Sequence, residues 1–219
     1  MNTIGAEKFK MLIRRIRIEE KMDELTVLLD KVKSKVQKRD SKNKKHFNLE
    51  WQLGIGRSVS ALGATAFETP HNFKKGVGVC MTDVETSKRP KWQKELYAKA
   101  KELLLLIDPD FAENDDFVVN FGCMSDAIKH YCKQHVDNMD IEYQYATVLG
   151  DCTGGGLTVW NSDGTSQYMN NYRKVLKMDG RLPHEVGDFT GRRYCVIFYK
   201  LYDRRYTEAS PIFEPACFV

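Results

Sequence analysis

The sequence predicts an α+β fold with a mainly β core, a sandwich or jelly roll, fronted by one long helix and braced by a second. Two observations predict it. From Asp116 onward, short β-prone runs alternate with turn signals: Phe117 to Phe121, Ile141 to Leu149 before Gly150, Leu157 to Trp160 before Asn161-Ser162-Asp163-Gly164, Val175 to Met178 before Asp179-Gly180, and Arg193 to Leu201. Strands of that length with turns between them build sandwiches and jelly rolls. Ahead of them, two stretches carry apolar residues at helical rather than alternating spacing. The 219 residues are enough for one domain with a sizeable core plus some decoration.

The first stretch, residues 6–39, reads as one helix, because Ile18, Met22, Leu25, Leu29, Val32 and Val36 step by four and three onto a single stripe. So few heptads predict a helix laid on the domain rather than a dimerising coiled coil, hence a monomer or weak dimer. Next comes the run Lys31 to Lys45, with Lys31, Lys33, Lys35, Lys38, Arg39, Lys42, Lys44 and Lys45 set against Asp40 alone. Cations suit a helix C-terminus and a solvated linker. The same run would also serve as a phosphate-contacting arm, which makes nucleic acid the partner to test. The division that follows is 1–46 for helix and basic arm and 47–219 for the β domain.

Residues 47–87 hold β-prone pieces broken by glycine, among them Trp51 to Ile55 and Gly76 to Met81. Gly54-Ile55-Gly56 is no dinucleotide loop, since Val59 stands where the third glycine belongs. Pro90 to Ile107 is the second helix. Trp92, Leu96, Ala100 and Leu103 share a core-facing side, and Asp108-Pro109 stops it. Trp51, Trp92 and Trp160 are read as core.

Composition narrows the function classes. With 42% hydrophobic and 29% charged residues the chain is that of an ordinary globular protein, and a net charge of +4 does not by itself demand nucleic acid. The six cysteines lack C-x-x-C spacing, which argues against a zinc knuckle or a disulfide scaffold. Charges at Glu7, Lys8, Lys10, Arg14 and Arg15 leave no signal peptide visible, and the longest aliphatic run, Leu103 to Ile107, is too short to span a bilayer. The expectation is an intracellular protein, cytoplasmic or nuclear, with no membrane partner.

The chemistry concentrates between Lys133 and Tyr199. His135-Val136-Asp137 is an H-x-D pair, His184 follows, and Arg193 opens the last apolar run. Two imidazoles and one carboxylate on one face make the facial ligand set of non-haem Fe(II) oxygenases, which leaves positions open for cosubstrate and O2. Residues i and i+2 of a strand point the same way, so His135 and Asp137 are expected on one strand, with His184 on another. A guanidinium near them can grip the far end of a dicarboxylate with two parallel bonds. An H-x-D alone is weak; followed by His184 and Arg193 it is much stronger.

These residues carry a resemblance. Val119-Asn120, His135-Val136-Asp137, Gly150-Asp151-Cys152-Thr153-Gly154-Gly155-Gly156-Leu157, His184-Glu185-Val186 and Gly191-Arg192-Arg193-Tyr194 together resemble the Fe(II)- and 2-oxoglutarate-dependent dioxygenases on the double-stranded β-helix fold. The G-D-x-x-G-G-x-L stretch and the G-x-R-Y ending resemble the branch of TET and base-J thymidine hydroxylases and their algal, protist and viral relatives. The likeness runs from about Asp116 to Leu201. It implies that His135, Asp137 and His184 hold Fe(II), that 2-oxoglutarate and O2 are cosubstrates, and that Arg193 binds the far carboxylate. Asn120 would reach the cosubstrate or the substrate, with a structural role at the strand end as the alternative. Cys195 would face the cosubstrate; relatives often carry Ser where Cys195 stands, so one expected hydrogen bond is weakened while the charge pair stays. Arg192 competes with Arg193, but alternation turns only one inward, and Arg193 directly precedes the tyrosine of the pattern. An Arg rather than a Lys there argues mildly against the prolyl 4-hydroxylase branch. The implied reaction is C–H hydroxylation, with the methyl group of a modified nucleic-acid base as first substrate class, and a protein side chain or small molecule as the alternative.

Other readings compete. Two His and one carboxylate also hold Zn2+ in hydrolases, but Arg193 is then unexplained. A catalytically dead binding module is a further possibility. His46, His71 and His130 have no partner at ligand spacing and are read as surface or satisfied histidines. Gly154-Gly155-Gly156 lacks the Lys-Ser/Thr of a phosphate loop and is read as a close backbone approach at a sheet edge.

Overall fold

The computed structural model describes residues 3–32, 47–56, 90–113, 117–201 and 209–219. Helix α1 (Thr3–Val32) forms where the long helix was expected, and Met22, Leu25, Leu29 and Val32 of its stripe are buried. Fully burying such side chains contributes roughly 1.5–3 kcal/mol each, so the stripe rather than helix propensity holds α1 in place. Its partner is α2 (Lys91–Ile107), which buries Leu96, Ala100, Leu103, Leu104 and Ile107, with Trp92 packed at the edge. Lys21 and Lys99 bond Glu24 and Glu102 in a square of four charges between the two helices, at 2.8–3.1 Å. Asp108 ends α2 and caps the short α3 (Pro109–Ala112), its side chain accepting from Phe111 N at 3.0 Å. Residues 33–46, with Val36, His46 and nearly all of the basic run, lie outside the described residues, as do Gly76 to Met81 and His71.

The β core is a jelly-roll sandwich. Its large sheet runs in the order β12 (Cys217–Phe218), β9 (Leu176–Met178), β5 (Gln144–Leu149), β11 (Phe189–Tyr199), β3 (Val118–Ser125), β2 (Trp51–Gly56), with β6 (Cys152–Gly154) joining the start of β11. A smaller sheet orders β10 (His184–Val186), β7 (Leu157–Trp160) and β8 (Ser166–Met169), and β1 (Phe47–Asn48) pairs with β4 (Tyr131–Cys132). Every pairing between these strands is antiparallel.

The central strand β11 shows how the sequence sorts its two faces. Tyr194, Val196 and Phe198 pack beneath the helices with Trp51, Phe121 and Leu149. Arg193, Cys195 and Ile197 alternate onto the other face, opposite Met124, Gly122 and Asn120 of β3. There the sheets meet: Ala146, Leu176 and Met178 of the large one pack with Leu157 and Val159 of the small one. α1 shares its apolar cluster with α2 and the outer face of the large sheet. Of the tryptophans, Trp51 is buried and Trp160 half-buried.

One local expectation is corrected. His135 and Asp137 do not lie on a common strand. His135 makes a single β-bridge after β4, and Val136 and Asp137 continue as loop. The chain there is too polar and too tightly turned toward Asp140 to extend the pairing, and Asp137 is aimed by a loop contact instead.

Candidate metal centre

His135 and His184 face each other across that bridge. His135 N donates to His184 O at 3.0 Å and His184 N to His135 O at 2.9 Å. A residue pair that exchanges both bonds puts its side chains on the same side, and the imidazole centroids are 4.2 Å apart. Asp137 arrives by a different route. Its backbone N donates to Gly180 O at 2.8 Å, which brings its Oδ2 to 3.7 Å from His184 Nε2. One donor atom from each of the three residues lies within 4.8 Å of the others, so the group could hold a metal ion.

Each imidazole is oriented by the chain two residues before it. His135 Nδ1 meets Lys133 O at 2.8 Å, and His184 Nδ1 meets Leu182 O at 2.9 Å. A carbonyl only accepts, so both Nδ1 atoms carry the proton and both Nε2 lone pairs are left for an ion. Behind Asp137, the turn supplying Gly180 O is fixed by Asp179, wholly buried, whose carboxylate takes Arg181 Nε at 2.7 Å and a second guanidinium nitrogen at 2.5 Å. Burial works against that charge, yet the arginine and the backbone N–H groups of Phe213 and Arg181 hold the Asp179 carboxyl below its usual range. Cys132 Sγ lies 3.7 Å from His135 Nδ1, and burial pushes this thiol up to about 12.

Arg193 enters the same cavity from β11. It is 2% exposed, and its Nε donates to Gly155 O at 2.8 Å. Among the described residues it has no carboxylate within ion-pair distance. Arg192 turns to the opposite face, beside Tyr194 and Glu50. The glycine run performs the close approach expected of it, since Gly155 passes directly against the Arg193 side chain. His130 is a buried, satisfied histidine whose Nδ1 accepts from Ser125 N at 2.9 Å.

The cavity measures about 190 Å3, and the two imidazoles, Asp137, Arg193, Asn120 and Cys195 all line it. Gln144, Thr147 and Asn171 line it too, and the sequence reading passed over them. All three are buried, and Gln144 Oε1, Thr147 Oγ1, Asn171 Oδ1 and Asn120 Oδ1 find no hydrogen-bond partner among the described residues. A buried polar atom left without a partner costs about 1–3 kcal/mol, so these oxygens fit a polar occupant. One signal was available: Gln144 and Thr147 are the two polar positions of the otherwise apolar run Tyr143 to Leu149. Asn171 reads locally as a turn residue and gave none.

No protein-family model matches the chain, and no curated protein matches it. Among solved structures it is similar to a prolyl-4-hydroxylase from Pseudomonas putida (13% identity over 84% of this chain and 88% of that one, TM-score 0.49). It is also similar to the Trichoplax adhaerens prolyl hydroxylase in complex with a hypoxia-inducible-factor oxygen degradation domain peptide fragment (13% identity, 86% and 80% covered, TM-score 0.46). A third is NgTET1 in complex with 5mC DNA (15% identity, 87% and 72% covered, TM-score 0.49).

Proposed function

We propose that the chain is an Fe(II)- and 2-oxoglutarate-dependent dioxygenase that hydroxylates a C–H bond, with the methyl group of a modified nucleic-acid base as its substrate. One observation carries the reading. In a single cavity, a ligand set for a divalent ion stands beside a buried guanidinium that no carboxylate among the described residues neutralises. Burying a charge without a partner costs several kcal/mol, and a dicarboxylate bound to the ion offers the missing charge. A zinc hydrolase leaves Arg193 without a task.

The residues fit both groups. His135, Asp137 and His184 would hold the ion, and Arg193 would take the distal carboxylate with two parallel N–H bonds. When bound, iron and 2-oxoglutarate supply O2 activation and the oxidising equivalents for hydroxylation. The chain supplies orientation. Carbonyls of Lys133 and Leu182 hold the imidazoles by their Nδ1 protons, and Gly155 O holds the Arg193 Nε. Cys195 follows Arg193 on the inward face of β11, and Asn120 stands opposite Ile197 on β3; both line the cavity and would contact the cosubstrate. Leu157, Val186 and Ile197 form apolar wall that limits water.

The nucleic-acid substrate rests on the motif resemblance of Gly150 to Leu157 and Gly191 to Tyr194, and on the basic run Lys31 to Lys45. A base in a duplex would have to be flipped into the cavity. The test is succinate release with Fe(II) across methylated duplex DNA, methylated RNA, peptides and free metabolites, with products identified by mass. A hydroxymethyl base appearing with succinate supports the full reading. Hydroxylated peptide or metabolite moves the substrate class but keeps the chemistry. Failure to bind 2-oxoglutarate in the presence of Fe(II) sinks both.

A further inference from the structure

We infer that the first half of α1 is an interfacial anchor that lays the protein on the surface of an anionic lipid bilayer. Residues 5–17 are all exposed, because α1 packs into the core only from Ile18 onward. Two positions on a helix is more than half a turn, so Ile16 faces away from Ile18 and the packed stripe. Phe9, Leu12, Ile13 and Ile16 share that outward face at i, i+3, i+4 and i+7, and are 41–64% exposed. Leu105 at the end of α2, itself exposed, extends the apolar surface across a groove that Phe9 and Ile13 also line.

Cations border this face on both sides. Lys8 and Arg15, seven apart, run along one edge, and Lys10 and Arg17, also seven apart, along the other. Arg15 shares its charge with Glu19 at 3.2 Å in an exposed pair of little consequence. An apolar strip that sinks below lipid headgroups, with long basic side chains reaching sideways to phosphates, is the arrangement of a helix lying in the interface. Among the described residues no helix is long and apolar enough to cross a membrane. The absence of a spanning run, which the sequence reading relied on, does not bear on this surface mode. The outward face turns acidic one turn later, at Glu20 and Asp23, which limits the contact to the first half of the helix.

Charge decides between occupants. A two-fold contact with a second copy over this patch would set four cations against the same four. An antiparallel shift would instead place Phe9, Leu12 and Ile16 on Glu20 and Asp23. A nucleic-acid backbone would meet Leu12 and Ile16 at the crest, where phosphates need cations. An anionic bilayer satisfies crest and borders together.

The test is cosedimentation of the full chain with phosphatidylcholine vesicles, with and without phosphatidylserine. Two variants accompany it: Phe9→Ala/Leu12→Ala/Ile13→Ala/Ile16→Ala, and Lys8→Gln/Lys10→Gln/Arg15→Gln/Arg17→Gln. Arg14 is left in place because it donates to Leu106 O and Ile107 O at the end of α2. The wild type should bind the anionic vesicles and barely the neutral ones. Each variant should bind about tenfold more weakly or worse, with its melting temperature unchanged. Four results would overturn the inference: no binding by the wild type, equal binding to both lipids, an alanine variant that binds like the wild type, or a dimer in sedimentation that the alanine variant abolishes. Duplex DNA binding that the glutamine variant loses and the alanine variant keeps would overturn it as well, in favour of a phosphate-backbone contact.

Discussion

Gly155 lies against Arg193 so closely that a Cβ built on it would stand 2.9 Å from the arginine Cδ and 3.0 Å from Nε, while its own carbonyl accepts from that Nε at 2.8 Å. Its φ of +70° is a second reason for glycine. Gly155→Ala should therefore push the guanidinium off its aim and leave the metal ligands alone. The 2-oxoglutarate KM should rise about tenfold or more, equivalent to ~1.4 kcal/mol, with Fe(II) affinity within about twofold of wild type. An unchanged KM would separate Arg193 from the cosubstrate.

Arg193→Met should behave oppositely for stability and for function. Removing a buried charge that has no carboxylate partner among the described residues should stabilise the protein without ligands by about 1–3 kcal/mol. The same change should abolish the visible charge-transfer band that Fe(II) and 2-oxoglutarate give together without oxygen. Melting curves with and without 2-oxoglutarate check both halves. A destabilised variant would mean that the guanidinium is satisfied by the protein itself.

Metal binding should stabilise the folded state. At a metal concentration about a hundred times its Kd the gain is about 2.7 kcal/mol, roughly 5–10 °C in melting temperature for a chain of this size. A chelator should reverse it. His135→Ala and His184→Ala should each lose the shift entirely, and Arg193→Met should keep it. A shift that survives His184→Ala would place the ion elsewhere.

Asp140 sets a pH dependence. It is buried behind Asp137, and burial first, then the charges of Asp137 and Asp179, push its carboxyl up to about 9 against the opposing pull of Arg181. The folded value thus lies above the unfolded one near ~4, and the native state holds the extra proton between them. Its contribution is fully present below the unfolded value and is lost as pH rises toward the folded one. In metal-free protein, Asp140→Asn should melt higher than wild type at alkaline pH by about 2 kcal/mol or more. The gap should close as pH falls toward the unfolded value. A gap independent of pH would show Asp140 to be charged or accessible.

Much of this architecture could be read from the chain, and the losses have local causes. The stripe of α1, the core side of α2 and strands such as Leu157 to Trp160 were legible because burial there repeats with the period of the backbone. β4, β6 and β12 are two or three residues long, too short for a period, and β8 (Ser-Gln-Tyr-Met) is a half-polar strip at the margin of its sheet. The four residues first singled out do come to one cavity, but the reason given for Asp137 failed. Its direction comes from Gly180, far along the chain, and no spacing rule encodes that bond. Asp179 reads as a turn residue beside Gly180 and Arg181 carries no signal in the sequence; only tertiary burial makes the pair a buttress for the site.

Strand β11 speaks for two neighbourhoods at once, and this makes its alignment a switch with two settings. Sliding it by one residue against its neighbours would present the Tyr194 phenol where the guanidinium now stands and drive the guanidinium under α1. That error is penalised from outside, because the Tyr194 hydroxyl is spoken for by Asp30 of α1 at 2.7 Å. A helix that touches neither imidazole thereby acts as proof-reader for the anion anchor.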